Sequence, residues 1–414
     1  MKRGLQGKLV VQGSSPEPFK SFVPHPLPPA PPIEVNPELL DLMEKANLAL
    51  GRLDGLARLL PDLQLFLYFY VRKEAVLSSQ IEGTQSSLSD LLLFESREVP
   101  GVPLNDVQEV SSYVAALQFG LKKLRQDFPM SLRLMRDIHR VLLSKGRGES
   151  EEPGEFRKSQ NWIGGTRPGN AVYVPPPRDE VVPLMGQLEK FYHEQEGLPV
   201  LVKAALMHVQ FESVHPFLDG NGRLGRLLIT LMLVGDGVLV EPLLYLSLYF
   251  KQNRATYYDL LQKVRLEGDW EEWLTFFFTA VLETAQQAVN TAHQILKLFA
   301  RDRDRIEKLG RIRGSCILLH SLLQQRPYLS IPAASKELHL SQPAVTKAMK
   351  ALEQVGIVEE SSGRAWKRVF VYSSYLRIMS EGTERPRQEK QSGDWADGAT
   401  SGPQDGRQRS KIGL

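Results

Sequence analysis

The sequence predicts a mainly α-helical protein with a smaller, separate unit near its C-terminus. Two observations support this fold class. Between residues 38 and 298, apolar side chains recur at the spacing of one helix face. This pattern is interrupted at 146–180 by a segment dense in glycine, proline and polar residues, and a different pattern begins at about Lys308. At 414 residues, the chain is long enough for about two or three domains with their own cores.

The chain divides into five regions along its length. Residues 1–37 are rich in proline, so we expect an extended N-terminus that lies against a neighbouring surface. Residues 38–145 form an N-terminal helical region, and residues 146–300 form the core that carries the main motif. Residues 308–378 form the separate unit. Residues 379–414 are polar with few apolar side chains, which predicts a disordered tail.

The composition excludes several classes of protein. The net charge of +3 is too small to indicate a general affinity for polyanions. The single cysteine, Cys316, excludes an intramolecular disulfide framework and a cysteine-based metal site, which agrees with a reducing cytoplasm. The start of the chain lacks the apolar core of a signal peptide, and apolar runs such as 227–234 are shorter than a membrane span. We therefore expect a cytoplasmic protein with no membrane partner.

The most informative segment is His215–Arg226, which reads His-Pro-Phe-Leu-Asp-Gly-Asn-Gly-Arg-Leu-Gly-Arg. Its glycines suit a tight loop, whereas the apolar run that follows favours a helix. Backbone N–H groups at the start of such a helix bind anionic phosphate. Asp219 is a suitable Mg²⁺ ligand, and Arg223 and Arg226 share one helix face. His215 has the side chain of a general base for a hydroxyl group.

This segment resembles the signature of Fic-domain proteins, His-x-Phe-x-(Asp/Glu)-Gly-Asn-Gly-Arg-x-x-Arg, at every defined position. The resemblance implies a helical Fic core with a short β-hairpin flap, which transfers AMP from ATP to a protein hydroxyl. It implies that His215 is the catalytic base, that Phe217 anchors the loop, and that Asp219 holds Mg²⁺. The nucleotide-binding residues would be Asp219, Gly220, Asn221, Gly222, Arg223, Leu224, Gly225 and Arg226. Arg226 would contact the γ-phosphate, and the intact glycine segment favours adenylylation over transfer of other groups.

Two less specific segments admit two interpretations each. Residues 161–177 surround a Gly/Pro turn with β-forming residues, which predicts a hairpin that pairs with a peptide strand, or an ordinary surface loop. The resemblance favours the flap, whose cleft-lining residues would be Asn170, Ala171, Val172 and Tyr173.

Tyr257 and Tyr258 are either buried rings of an amphipathic helix or, as the resemblance implies, neighbours of the adenine. Adjacent helical side chains point about 100° apart, so at most one of them faces the cleft squarely.

A predicted helix far upstream carries Ser78 and Glu82, followed by Gly83. The four-residue spacing places Ser78 and Glu82 on one helix face. Alone, this pattern is typical of an ordinary helix surface. Beside the signature, it resembles the inhibitory motif of Fic proteins, (Ser/Thr)-x-x-x-Glu-(Gly/Asn). The resemblance implies that Glu82 pairs with Arg226 in the place of the γ-phosphate, so that ATP binds only with its α-phosphate misplaced.

Residues 308–378 are predicted to form a winged helix-turn-helix. An apolar helix at Ile317–Leu323 precedes a second helix at 333–338 and a third, the recognition helix, which begins at the N-cap Ser341. Residues 356–372 have the pattern of a hairpin wing. The side chains that could contact DNA are Gln342, Thr346, Lys347, Lys350, Arg364, Lys367 and Arg368. The same module could equally serve protein contact or dimer packing.

These observations predict an auto-inhibited protein adenylyltransferase that moves AMP from Mg·ATP to a Ser, Thr or Tyr hydroxyl and releases pyrophosphate. One alternative is a DNA-binding transcriptional regulator whose Fic domain only senses nucleotide, although an intact His215 argues against a pure sensor. Another is an enzyme that removes AMP from modified proteins, with Glu82 positioning water. The expected partner is a target protein, and a homodimer and DNA remain open as further partners.

Overall fold

A computed structural model provides the structure, and helices dominate it, as predicted. The residues that the structure describes are 1–13, 17–59, 63–95, 102–195, 197–361 and 368–385. Within these ranges, the named strands lie at the N-terminus and in the C-terminal unit. No helix of the described ranges combines the length and the apolar character that a membrane crossing requires.

The proline-rich N-terminus contains a β-hairpin in addition to extended chain. Strands β1 (Gly7–Gln12) and β2 (Phe19–Pro24) pair antiparallel, with Leu9 opposite Phe22. The Phe22 N–H donates to the Val174 carbonyl at 2.9 Å, so the hairpin lies beside the predicted flap. The Arg3 guanidinium forms an ion pair with Glu271 at 2.6 Å, which attaches the N-terminus to the helical core.

The helical core contains eleven α-helices within the described residues, and local capping fixes several of their starts. Helix α1 begins at Pro37 because proline suits a first helical position, and the Asn36 side chain accepts the Leu39 N–H at 2.8 Å. The side chains of Ser131 and Asp269 cap two later helices in the same way. The core helices are α1 (Pro37–Leu59), α2 (Leu63–Ile81), α3 (Leu88–Glu95), α4 (Leu104–Leu124), α5 (Leu132–Leu142), α6 (Arg178–Glu194), α7 (Val200–Val214), α8 (Asn221–Gly235), α9 (Ser247–Gln252), α10 (Arg254–Glu267) and α11 (Trp270–Glu307).

Helices α7 and α8 pack against each other in the middle of the core, and the loop between them carries the signature. Almost every side chain of α7 from Leu201 to Val214 is buried, which is expected of a helix that is apolar on most sides. Helix α8 is buried from Arg223 to Leu233. Helix α2 packs against α4 and α9 and ends at this loop. The fold therefore brings the upstream motif to the signature.

The C-terminal unit is a winged helix-turn-helix, as predicted. Helix α11 has 38 residues, about 57 Å at the helical rise, and a 3-10 turn at Gly310–Ile312 connects its end to this unit. The N-cap of the recognition helix is Ser341, whose hydroxyl accepts the Ala344 N–H at 3.4 Å. The elements of the unit are α12 (Arg313–Gln325), β3 (Tyr328–Ser330), α13 (Ile331–Leu338), α14 (Gln342–Gln354), β4 (Glu359–Glu360) and β5 (Val369–Val371). Arg364 and Lys367 lie outside the described residues.

Helix α15 (Ser373–Ser380) follows the wing and turns back onto the N-terminal helices. Its Tyr375 ring contacts Phe69 of α2 edge-on, with ring centres 5.0 Å apart. The predicted disorder from residue 379 is wrong for 379–385, because Met379 and Thr383 are buried against the core. The remainder of that predicted tail, 386–414, lies outside the described residues.

Candidate active site at the loop between α7 and α8

His215 ends helix α7 in the left-handed conformation, at a φ of 47°. Its side chain is 17% exposed, and its Nδ1 atom lies 3.8 Å from Glu212 Oε2. Burial, with the nearby cations of Arg157 and Arg265, lowers the pKa of His215 to about 3. The imidazole is therefore neutral at pH 7 and can accept a proton from a hydroxyl group.

Arg157 fixes the backbone of His215, a role that no motif in the sequence predicts. Its Nε atom donates to the His215 carbonyl at 3.0 Å, and its Nη2 atom donates to the Pro176 carbonyl at 2.6 Å. Asn161 donates to the Phe217 carbonyl at 2.9 Å. These bonds connect both ends of the flap segment to the loop that carries the imidazole, Asn161 directly and Pro176 through Arg157.

The signature loop is held from inside by Phe217 and Asn221. The Phe217 ring is fully buried and stacks on His139, with ring centres 3.7 Å apart. The Asn221 side chain accepts the Phe217 N–H at 2.9 Å and donates to the Phe217 carbonyl at 2.8 Å. The Asn221 amide is therefore used to shape the loop, and Gly220 completes the turn at a φ of 76°.

Helix α8 begins at Asn221, which leaves its first backbone N–H groups without intrahelical partners. These are the N–H groups of Asn221, Gly222 and Arg223, which are oriented as in other anion sites at helix starts. The Leu224 N–H already donates to the Gly220 carbonyl at 2.9 Å, and the Leu224 side chain is fully buried. Leu224 therefore has no backbone N–H available for a phosphate, unlike Asn221, Gly222 and Arg223.

Asp219 lies at the start of α8 with its side chain 21% exposed. One carboxylate oxygen accepts the Gly220 N–H at 2.6 Å, and the other accepts Arg223 Nη2 at 3.0 Å. Arg223 also lies 3.5 Å from Glu109 of α4. Among the described residues, no group of three or more His, Cys, Asp or Glu side chains could hold a metal ion. One partly exposed carboxylate nevertheless suits Mg²⁺, which commonly takes its other ligands from phosphate oxygens and water.

Arg226 is 2% exposed and bound by the end of α2. Its Nη2 atom lies 2.6 Å from Glu82 Oε1 and 3.0 Å from the Ser78 carbonyl. Its Nε atom donates to the Ser78 hydroxyl at 2.9 Å. Burial alone would lower the pKa of Arg226, but the Glu82 carboxylate raises it above its ordinary value. The structure thus brings Ser78 and Glu82 of the upstream motif together with Arg226 of the signature.

Two glycines of α8 leave room for carboxylates. A β-carbon at Gly222 would overlap the Glu82 carboxylate, and one at Gly225 would overlap the Glu212 carboxylate. Glu212 is buried, and its Oε1 atom has no hydrogen-bond partner within the described residues. Burial raises the pKa of Glu212 to about 7. Glu212 and Glu109 belong to no recognised motif, so no pattern in the sequence identifies them as site residues.

The predicted flap is a minimal hairpin. Ile163 and Tyr173 form a single antiparallel bridge, and a 3-10 turn at Pro168–Asn170 connects the two sides. Asn170 is exposed, whereas Ala171 and Val172 are half-buried. Tyr173 is buried, and its hydroxyl donates to the Ser213 carbonyl at 2.6 Å. Closely spaced glycines and prolines explain why the strands predicted here are so short.

The two tyrosines of α10 have different environments. Tyr257 is buried in an aromatic cluster, and its hydroxyl lies 2.8 Å from His208 Nε2. Tyr258 is half-buried, with the Arg254 guanidinium 5.1 Å from its ring centre. Tyr258 is thus the more exposed of the two, and the expectation that at most one of them faces the cleft stays a prediction.

The comparison with known families supplies the remaining evidence. Residues 129–233, which hold the whole signature, match the Fic/DOC family, and residues 40–122 match the Fic/DOC family N-terminal region. The chain contains a Fic domain. Residues 317–359 match the family of winged helix-turn-helix DNA-binding domains. The Fic domain is therefore joined to an N-terminal region that contains Ser78 and Glu82, and to a C-terminal winged helix.

Known proteins match this chain over about half of its length. The chain is 34% identical over 206 residues to the protein adenylyltransferase Fic of Aedes aegypti, which covers 47% of this chain and 37% of the relative. The chain is also 27% identical over 251 residues to the protein adenylyltransferase Fic of Drosophila persimilis, which covers 58% of this chain and 46% of that relative. The chain thus spans less than half of these relatives. A Fic family protein from Desulfovibrio desulfuricans shares the fold, with a TM-score of 0.54 and 22% identity over 83% of this chain and 98% of that one.

Proposed function

We propose that this protein is a protein adenylyltransferase that uses ATP to place AMP on a hydroxyl group of a target protein. The observation that carries the proposal is a neutral, partly exposed His215 in the same short loop as the free N–H groups that begin α8. A base and an anion site on one short loop are what phosphoryl-type transfer to a hydroxyl requires. The similarity to proteins named adenylyltransferases supports the same reaction.

The residues divide the reaction between them. His215 takes the proton of the target hydroxyl, whose oxygen attacks the α-phosphorus of ATP. The bond between the α-phosphorus and the bridging oxygen breaks, and pyrophosphate leaves. The N–H groups of Asn221, Gly222 and Arg223 hold phosphate oxygens, and Arg226 pairs with the γ-phosphate. Asp219 is the residue that would hold Mg²⁺, which supplies positive charge to the phosphates when it is bound.

The remaining predicted roles belong to the same proposal. The target segment lies along the flap at Asn170–Tyr173, so that a Ser, Thr or Tyr hydroxyl reaches His215. Tyr258 borders the adenine, and the buried Tyr257 supports it. Glu82 occupies the place of the γ-phosphate on Arg226 and restrains the reaction. The ion pair between Glu82 and Arg226 supports this role, since the guanidinium cannot bind the carboxylate and a phosphate at the same atom.

The test is His215→Ala in a chain that also carries Glu82→Gly, with the exposed His293→Ala as the matched control. Purified proteins are incubated with labelled ATP, Mg²⁺ and cell lysate, and AMP incorporation is measured. Loss of a positioned base lowers the rate by about 10²–10⁴-fold, while ATP binding and thermal unfolding stay unchanged. Incorporation equal to that of the His293→Ala control would contradict the proposal. Release of AMP from modified proteins in place of incorporation would favour the reverse reaction.

The winged helix favours a second role, namely the binding of DNA. Its match to DNA-binding domains agrees with the recognition helix α14, where Gln342, Lys347 and Lys350 are exposed. The Thr346 hydroxyl is bonded to the Gln342 carbonyl at 2.8 Å, and Arg368 lies 3.6 Å from Glu360. DNA binding without AMP transfer would indicate a regulator whose Fic domain only senses nucleotide.

A further inference from the structure

The last described residues of the chain contact helix α2, which ends at Ile81, immediately before Glu82. Residues 381–385, here called the C-terminal arm, leave the winged helix through α15 and contact α2, α3 and α9. Gln80 of α2 donates to the Thr383 carbonyl at 3.1 Å, and Lys251 of α9 donates to the Gly382 carbonyl at 3.0 Å. Arg385 forms an ion pair with Asp90 of α3 at 2.9 Å. The arm thus holds α2 two residues before the glutamate that binds Arg226.

Helix α2 also contains a buried charge that the arm stabilises. Lys73 is fully buried, and its ammonium has no hydrogen-bond partner within the described residues. It lies 4.6 Å from the centre of the Tyr245 ring. Burial lowers the pKa of Lys73 to about 8, and the carboxylates of Glu381 and Glu384 in the arm oppose that change. Without the arm, the Lys73 ammonium would stay buried in α2 but would lose the two nearby carboxylates that offset its charge.

Helix α15 connects the arm to the winged helix. Tyr375 of α15 lies between two aromatic side chains, with ring centres 5.0 Å from Phe69 of α2 and 4.9 Å from Phe299 of α11. The Tyr372 hydroxyl, at the start of α15, donates to Asp302 of α11 at 2.7 Å. On the side of the winged helix, the Tyr372 N–H donates to the Pro327 carbonyl at 2.9 Å, and α15 follows β5 directly, so a shift of the winged helix would also move α15 and the arm.

We propose that the C-terminal arm is a brace that holds the end of α2 against Arg226, so that withdrawal of the arm frees Glu82 from Arg226. This inference rests on the proposed function and extends it, since it assigns the control of the transferase to the C-terminal unit. Withdrawal removes the Thr383 carbonyl from Gln80 and the two carboxylates from the neighbourhood of Lys73. Each loss lowers the stability of the state in which the end of α2 holds Glu82 on Arg226. The state in which Arg226 can bind a phosphate becomes more populated as a result.

The test compares two shortened chains that differ only in the arm. One ends at Ser380 and lacks the arm, whereas the matched control ends at Arg385 and keeps it. AMP incorporation from labelled ATP should rise about tenfold in the chain that ends at Ser380, as expected for the loss of a few hydrogen bonds that hold the inhibited state. The chain that ends at Arg385 should match the full-length protein. With Glu82→Gly added to each, the two should be equally active, because the restraining carboxylate is absent from both.

Amide hydrogen exchange over residues 76–84 provides a readout that does not depend on catalysis. Exchange there should be faster in the chain that ends at Ser380, since the end of α2 opens more often. If Glu82→Gly shows no AMP transfer, the proposed function fails, and this exchange still tests the brace. Arg385→Glu in the full-length chain is a milder variant, which breaks the ion pair with Asp90 and should act in the same direction.

Three outcomes would overturn the proposal. The first is unchanged activity together with unchanged exchange in the chain that ends at Ser380. The second is equal activation of the chain that ends at Arg385, which would assign the effect to residues beyond the arm. The third is a gain of the same size in the presence of Glu82→Gly, which would show that the arm acts on something other than Glu82.

Discussion

Replacing Glu82 by glycine should raise AMP incorporation about tenfold, and the size follows from the contacts of Arg226. The substitution removes one charge-assisted hydrogen bond of 2.6 Å, while Ser78 keeps its two contacts with the guanidinium. Such a bond contributes about 1.5–3 kcal/mol. Because the Glu82 side chain is 36% exposed, solvent screening favours the lower end of that range. Each 1.4 kcal/mol corresponds to about a factor of ten, so a tenfold release is expected.

The assay measures labelled AMP on target proteins and on the enzyme itself, at saturating ATP and Mg²⁺. Glu82→Gln keeps the shape of the side chain but removes its charge, so its activity should lie between those of the wild type and Glu82→Gly. Glu241→Gly is the matched control, because it removes a carboxylate that pairs with Arg125 away from the site. Incorporation by Glu82→Gly at or below the wild-type level would refute the inhibitory role. Full activity of Glu82→Gly combined with Arg226→Ala would refute the assignment of Arg226 to the γ-phosphate.

Two further predictions concern Arg157 and the winged helix. Arg157→Met, in the presence of Glu82→Gly, removes a cation that lowers the pKa of His215, so that pKa rises and the acid limb of the pH–rate profile moves to higher pH. Arg157→Lys keeps the charge and should keep the profile, and an unchanged profile in folded Arg157→Met would contradict this reasoning. If the winged helix binds DNA through Lys347 and Lys350, anisotropy titrations should show affinity falling by about one log unit per log of salt for each phosphate contact. Absence of binding at low salt would leave protein contact as the role of this unit.

The parts of the site that could be predicted from the sequence are those that short motifs with a set residue spacing encode. The turn at Gly220 and the helix start at Asn221 follow from the glycine-rich run, and the resemblance to the inhibitory motif implied the pairing of Glu82 with Arg226. Arg157 was missed because its role depends on carbonyl oxygens of residues far away in the sequence, and carbonyls carry no sequence signal. Contacts of this kind become visible only when the fold is known.

Long-range contacts also explain why the structure differs from the prediction at the N-terminal hairpin and at the C-terminal arm. The N-terminal hairpin pairs with Val174 through backbone atoms, and its proline content obscured its strands. The C-terminal arm is polar, so its composition indicated disorder, whereas in the structure its carbonyls and Arg385 satisfy groups on α2, α3 and α9. In both cases, long-range pairing decided the structure of a segment whose local preferences were weak.

Because α11 is one unbroken helix, its length sets the angular phase between the Fic domain and the winged helix. Each residue added to or removed from a helix turns everything beyond it by about 100° and shifts it by about 1.5 Å. A single insertion between Trp270 and Glu307 would therefore rotate α15 away from Phe69 without altering any residue of the site. Substitutions along α11 preserve this angular phase, whereas a change in its residue count would separate α15 from α2.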